Sequence, residues 1–147
     1  HPLSGSYERY EFNGPAVERP LWDGQANIAE LDAELPECRL HGLALRLYCP
    51  LSRRWAIHWS TAENGTLDQP MMIGDFRNGY GEFYNQETFE DRGIFVRFLW
   101  TSLTREKCRW EQAYSADGGM TWETNWIMTF TRMARRRLSF NLPLRRQ

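Results

Sequence analysis

Large aromatic side chains are the residues of this chain best suited to bind a small molecule. Several segments alternate like β-strands, and side chains on a strand point to opposite faces with a period of two. One predicted face therefore gathers residues from four strands: Trp59, Trp100, Trp110, Tyr114 and Trp126, with Gln112 between Trp110 and Tyr114. An apolar wall with one or two placed polar groups is typical of small-molecule sites. This face predicts an apolar or aromatic ligand oriented by Gln112, and the alternative is that the rings only fill the core.

A second set of residues is polar and lies on the opposite faces of its predicted strands. It comprises Arg46, Tyr48, Arg97 and Glu111. On the outside of a barrel these residues would form a cross-strand charge ladder. If the facing is reversed, Arg beside Tyr and Glu would bind a carboxylate or an enolate inside the barrel. That arrangement would suit an isomerase or cyclase that works without a cofactor.

Histidine and cysteine supply few further candidates. Histidine is a side chain type that suits acid–base catalysis, which makes His58 a candidate, but a lone His on the polar face of a strand is more often a surface residue. The chain has three cysteines, Cys38, Cys49 and Cys108, and no CxxC pair. An odd number of cysteines without such a pair argues against a disulfide framework and a structural zinc site. These thiols fit a reduced, cytoplasmic protein, and the sequence predicts no metal and no other cofactor.

Turn signals at intervals of roughly ten residues place these side chains on short strands. No amphipathic helix of four turns interrupts them. The predicted strands cover residues 6–12, 26–35, 42–49, 54–61, 71–77, 80–85 and 93–102, followed by a hairpin over 107–132. This spacing predicts an all-β antiparallel barrel or sandwich of about eight or nine strands.

The turn of the last hairpin has the most specific local pattern, Ser115-x-Asp117-x-Gly119-x-Thr121-Trp122. The glycines accept positive φ at little cost, and the Asp can accept hydrogen bonds from the amides of the turn. The pattern is similar to the Asp-box turn of sialidase-like propellers, where it is structural. A single copy predicts a well-formed hairpin with Trp122 packed against the sheet, and it does not predict a glycosidase.

Composition and charge set the domain organisation. With 147 residues, 14% of them aromatic, the chain suits one domain over residues 1–132. Residues 133–147 form a basic tail, and the last sixteen residues contain six Arg and no acid. Such a tail could contact phosphates or acidic membranes, but a solvated terminus is the simpler interpretation. No apolar run reaches the ~18–20 residues of a membrane helix. We expect neither a nucleic-acid nor a membrane partner, and a homodimer stays open.

Five motifs together resemble a mostly bacterial family of small lipocalin-like proteins whose function is not assigned. They are LRLYCP (45–50), RWAIHW (54–59), GDFRNGYGEFY (74–84), VRFLW (96–100) and RWEQAYSADGGMTWETNWIMTFTR (109–132). The resemblance covers about residues 20–132 and implies a calycin-type β-barrel, but no catalytic residue. Family members begin with a strand that contains Gly-x-Trp. This chain has none, so the barrel would lack its first strand or the start would be missing.

Three functions follow as hypotheses. The favoured one is a lipocalin-like protein that binds a small apolar or aromatic ligand in its cavity. The second is a cofactor-independent enzyme that uses the same cavity. The third is a protein-interaction module that uses the outer sheet or the basic tail.

Overall fold

A computed structural model describes residues 2–5 and 10–133 as one antiparallel sheet of nine strands. Each strand pairs with the next along the chain, from the first to the last. A short 3₁₀ turn (Trp22–Gly24) joins the first two strands. The strands are β1 (Ala16–Leu21), β2 (Ala26–Glu34), β3 (Arg39–Cys49), β4 (Arg54–Thr61), β5 (Met72–Arg77), β6 (Tyr80–Phe89), β7 (Arg92–Thr101), β8 (Lys107–Ser115) and β9 (Glu123–Thr131).

The sheet curls into a half-barrel. Arg46 on β3 and Trp100 on β7 are four strands apart, which in a flat sheet would separate them by ~19 Å. Their side chains nevertheless meet, with the guanidinium carbon 5.1 Å from the indole centroid. We call the face that holds this contact the inner face. Among the described residues, β1 and β9 each pair with a single neighbouring strand, so the barrel is not closed by strand pairing.

The core lies on the inner face. Residues directly opposite each other in an antiparallel pair point to the same side of the sheet. Ile57 therefore shares a face with Arg46 and with Met72, its partners on either side. The buried cluster consists of Ile57, Met72, Phe83, Ile94 and Val96, all from the middle strands.

A close approach of the backbone helps to form this core at β5. Gly74 is paired with Phe83, and a Cβ added at Gly74 would lie 2.0 Å from the carbonyl oxygen of Glu82. Only a residue without a side chain fits there.

The predicted all-β antiparallel class with almost no helix is confirmed, and so is the strand count. The prediction of a strand at 6–12 is wrong where it can be compared, because residues 10–15 are not in a strand and residues 6–9 lie outside the described part. The first strand is Ala16–Leu21, which was not predicted. Pro20 argues against a strand when the sequence is considered alone. An edge strand nevertheless tolerates Pro, because one side of its backbone needs no partner.

The chain ahead of β1 contacts the far end of the sheet. The amide of Leu3 donates a 2.7 Å hydrogen bond to Oε1 of Glu123, and the ring of Phe12 lies 6.0 Å from that of Trp126. Gly14 lies against β2, since an added Cβ there would be 2.0 Å from the carbonyl oxygen of Asp32. Residues on both sides of 6–9 therefore lie beside strands that the curl brings towards each other.

Two further predictions concern the basic tail and membrane-spanning helices. Beyond Met133, the predicted basic tail (133–147) lies outside them. In the part of the chain that the structure covers, no helix is long and apolar enough to cross a membrane.

Candidate functional site

Three of the predicted tryptophans lie side by side on the inner face, and we call them the tryptophan row: Trp100, Trp110 and Trp126. Ring centroids are 6.4 Å apart between Trp100 and Trp110 and 6.0 Å apart between Trp110 and Trp126. Phe98 meets Trp110 edge-on at 4.9 Å, and Phe130 stacks on Trp100 at 6.2 Å. Trp110, in the middle, is buried, whereas the two outer members are half-buried. The row is therefore both part of the core and part of the inner surface.

Trp59 and Tyr114 share the inner face but lie elsewhere on it. The indole of Trp59 lies directly over Gly42, where an added Cβ would be 2.1 Å from Cη2 of the indole. Tyr114 packs its ring 5.5 Å from that of Phe89. The structure thus places all five predicted aromatic residues on one face and brings only three of them together.

Gln112 lies beside the row, and its amide is already used. Its Nε2 donates a 2.9 Å hydrogen bond to Oδ1 of Asn125 and is 3.5 Å from the hydroxyl of Tyr114. Asn125 is the extra residue of a β-bulge, because Gln112 pairs with Trp126 while the next residue of β8 pairs with Thr124. A bulge redirects a side chain that strict alternation would place on the other face. For this reason strict alternation along β9 does not predict Asn125 beside the row.

Arg46 and Tyr48 lie on the inner face, which corrects their predicted placement opposite the aromatic residues. Arg46 pairs with Ile57, and Tyr48 pairs with Trp55. Leu43, Leu45 and Leu47 alternate with them along β3, and the predicted placement holds only if these leucines share a face with the tryptophans of β4. The register of the β3–β4 hairpin pairs even positions of β3 with odd positions of β4 instead. A one-residue change of register moves every side chain of a strand to the other face.

Arg97 and Glu111 lie on the outer face, as predicted. The guanidinium of Arg97 lies over the ring of Trp122, and Glu111 accepts a 2.9 Å hydrogen bond from Nη2 of Arg109. Since Arg46 and Tyr48 point inward, the sheet separates the two halves of the predicted polar cluster. A catalytic arrangement of all four side chains is not assembled.

Arg46 is the basic group of the inner face beside the tryptophan row. Its Nη1 donates to Oδ1 of Asn27 at 2.8 Å and to Oε1 of Glu18 at 3.0 Å. Burial lowers the pKa of the guanidinium, and the nearby Glu18 and Cys108 oppose that shift. Burial likewise raises the pKa of the Cys108 thiol. Arg46 therefore carries its charge in a poorly solvated environment, where an anion would interact strongly with it.

Several buried nitrogen atoms around the row have no hydrogen-bond partner within the described residues. They are Nε of Arg46, the indole Nε1 atoms of Trp100 and Trp126, and Nδ2 of Asn125. All four are donors. The one comparable acceptor on this face is Oδ1 of Asn85, which lies opposite Val96 in the middle of the sheet. Buried polar groups are normally paired. Among the described residues, the inner face around the row therefore has more donors than acceptors.

Two cavities of the molecule lie away from the row. The larger, about 470 Å³, is at the end of the β8–β9 hairpin, between Tyr114, Asp117, Trp122 and Glu123. The smaller, about 210 Å³, is a groove on the outer face between Arg54, Asp75 and Tyr84. Of the predicted ligand-binding residues, Tyr114 alone lines either of them. Any ligand on the row would therefore lie on the concave inner face, beside Phe12, whose ring packs against Trp126.

Metal ligands are not gathered in the part of the chain that the structure describes, where no three His, Cys, Asp or Glu side chains converge. Cys38, Cys49 and Cys108 are free thiols. His58 pairs with Leu45, which places it on the outer face, away from the row. Cys108 pairs with Phe130 on the inner face, where burial raises the pKa of its thiol and so disfavours the thiolate that a nucleophile needs.

Comparisons with protein-family models, with curated proteins and with solved structures found no match. The candidate site therefore rests on its own geometry.

Proposed function

We propose that this protein is a lipocalin-like, cytoplasmic binding protein that takes a small apolar or aromatic ligand on its inner face. The observation that carries the proposal is the set of buried donors without acceptors beside the tryptophan row, as far as the described residues extend. An unpaired buried N–H costs roughly 1–3 kcal/mol of stability, and a ligand with acceptor atoms would offset that cost.

The aromatic surface supports an apolar ligand body. Trp100 and Trp126 are half-buried on the inner face, and the ring of Phe12 already packs edge-on against Trp126, so part of each indole is left to contact a flat molecule. Tryptophan combines a large apolar face with one N–H, which suits a ligand that is apolar over most of its surface and polar at its edge.

Binding is favoured over catalysis because the titratable residues are divided between the two faces. Glu111 is on the outer face, and Tyr48 packs its ring 5.3 Å from that of Trp55. An acid–base pair within reach of one ligand atom, which an isomerase or cyclase needs, has no candidates among these residues.

A titration with 2-acetylnaphthalene, a neutral aromatic ketone, tests this proposal. We expect saturable binding by calorimetry, together with quenching of tryptophan fluorescence. Trp126→Phe keeps an aromatic ring and removes the indole N–H, so we expect affinity to fall about 2–10-fold, the effect of one lost hydrogen bond. Trp22→Phe is the matched control, because Trp22 is exposed in the 3₁₀ turn, and it should bind like the wild type.

The contrary outcome is specific. If folded protein shows no saturable binding of either 2-acetylnaphthalene or 2-naphthoate, the inner face is not a ligand site. Equal losses of affinity in Trp126→Phe and Trp22→Phe would place the ligand elsewhere.

A further inference from the structure

We infer that the ligand of the inner face carries a carboxylate, and that Arg46 binds this group through the Nε and Nη2 edge of its guanidinium. This inference rests on the proposed function and names the chemical class of the ligand.

The guanidinium of Arg46 is hydrogen-bonded on one side only, as far as the described residues extend. Its side chain is 12% exposed, whereas that of Glu18, its only partner of opposite charge among the described residues, is 61% exposed. Both hydrogen bonds from Arg46 to described side chains leave from Nη1. Nε is buried and, among these residues, unpaired. Nη1 of this planar group with five donors is thus committed, while Nε, on the edge that it shares with Nη2, has no acceptor among the described residues.

The contacts of the Arg46 guanidinium fix its orientation. The guanidinium carbon lies 5.1 Å from the centroid of the Trp100 ring. This cation–π contact and the two bonds at Nη1 hold the group in place. A preoriented Nε and Nη2 edge presents two parallel N–H groups, and a carboxylate accepts both with its two oxygens.

The groups beside Arg46 suit the rest of such a ligand. The indole N–H of Trp100 is a further donor, buried and unpaired within the described residues. Trp110 and Trp126 continue the apolar surface away from Arg46. A ligand with an anionic end and a flat apolar body matches this order of groups along the inner face.

The charge of the site favours a carboxylate over a phosphate. Of the described arginines, Arg46 alone lies over a ring of the tryptophan row, and Glu18 already contributes a negative charge beside it. With Arg46 and Glu18 both charged, a bound carboxylate leaves one net negative charge at the site, and a phosphate dianion leaves two. The carboxylate therefore leaves less uncompensated charge in a poorly solvated environment.

The experiment compares 2-naphthoate with 2-acetylnaphthalene, which has nearly the same shape and no charge. In the wild-type protein we expect naphthoate to bind at least about 10-fold more tightly, since charge-assisted hydrogen bonds contribute more than neutral ones. Arg46→Met keeps the length of the side chain and removes the donors. This variant should lose about 10–100-fold in affinity for naphthoate and keep its affinity for the ketone within about 2-fold.

Two further variants sharpen the result. Arg46→Lys keeps the charge without the paired donors, so its affinity for naphthoate should lie between those of the wild type and Arg46→Met. Arg109→Met removes an arginine from the outer face and should change neither affinity.

Glu18→Gln gives an independent test should Arg46→Met not fold. It removes the competing carboxylate on an exposed edge strand, so naphthoate should bind about 2–10-fold more tightly. Weaker or unchanged binding would overturn the inference.

Other outcomes separate the inference from the proposed function. Equal affinities of the wild type for naphthoate and the ketone would overturn the role of Arg46 and leave the proposed function standing. Tighter binding of 2-naphthyl phosphate than of naphthoate would overturn the assignment of a carboxylate. Failure of both naphthalene compounds to bind would overturn the proposed function itself.

Discussion

The guanidinium carbon of Arg97 lies 4.4 Å from the centroid of the Trp122 ring, on the outer face of the sheet. The ring of Tyr84 flanks the same indole at 5.9 Å, and Nε1 of Trp122 donates a 3.1 Å hydrogen bond to the carbonyl oxygen of Gly119. The predicted packing of Trp122 against the sheet is therefore confirmed. Through this contact, the turn between β8 and β9 is attached to β7.

Replacing Arg97 by Met should destabilise the protein by about 0.5–2 kcal/mol, the usual range of a cation–π pair that is partly desolvated. Urea denaturation measures the loss. In a Trp122→Leu background the same substitution should cost about 1 kcal/mol less, because its partner is already gone. Equal costs in the two backgrounds would mean that the contact contributes nothing.

Gly42→Ala should destabilise the protein by about 1–3 kcal/mol, because the new methyl group would overlap the indole of Trp59. Gly93→Ala is the matched control, since Gly93 is also in a strand and nothing lies within 4 Å of its added Cβ. It should be neutral or stabilising by up to about 1 kcal/mol. Thermal denaturation distinguishes the two. Combining Gly42→Ala with Trp59→Leu should recover part of the loss, and failure to do so would show that the indole does not occupy this space.

Asp117 should make the stability of the hairpin depend on acid. Its carboxylate accepts hydrogen bonds from the amide of Thr121 at 2.9 Å and from the hydroxyls of Thr121 and Ser115 at 2.5 and 2.8 Å. These bonds, led by those from Thr121, lower the pKa of Asp117 from 3.8 to about 2. The folded form therefore releases its proton more readily than the unfolded form.

A carboxyl group whose pKa is depressed by folding stabilises the protein fully above the unfolded pKa and loses that contribution as pH falls through the folded pKa. Asp117→Ala should accordingly lower the melting temperature by a few degrees at pH 6. The difference from wild type should shrink between about pH 4 and pH 2. Asp117→Asn keeps one acceptor and does not titrate, so its melting temperature at pH 6 should lie between those of the wild type and Asp117→Ala. A difference that stays constant down to pH 2 would contradict the assignment.

Strands and turns were predictable because both depend on local chemistry. Alternation of apolar and polar residues follows from the two-residue period of a strand, and it identified eight of the nine strands, β2 to β9. Asp117, Gly118 and Gly119 predicted the last turn because the conformation needs positive φ at both glycines, which the structure has. The common inward face of Trp59, Trp100, Trp110 and Trp126 followed from this alternation together with the expectation that the aromatic face of each strand points inward.

The position of Arg46 and the shape of the site were decided only by the tertiary structure. Arg46 lies on the same face as the tryptophans because the β3–β4 register pairs even-numbered residues of β3 with odd-numbered residues of β4. The residues of one strand do not specify this register. The bulge at Asn125 and the meeting of Arg46 with Trp100 across four strands depend on how the whole sheet curls. Alternation is a local property of the sequence, whereas register and curvature result from packing the entire sheet. The sequence alone therefore does not specify that the unpaired donors lie together on the inner face.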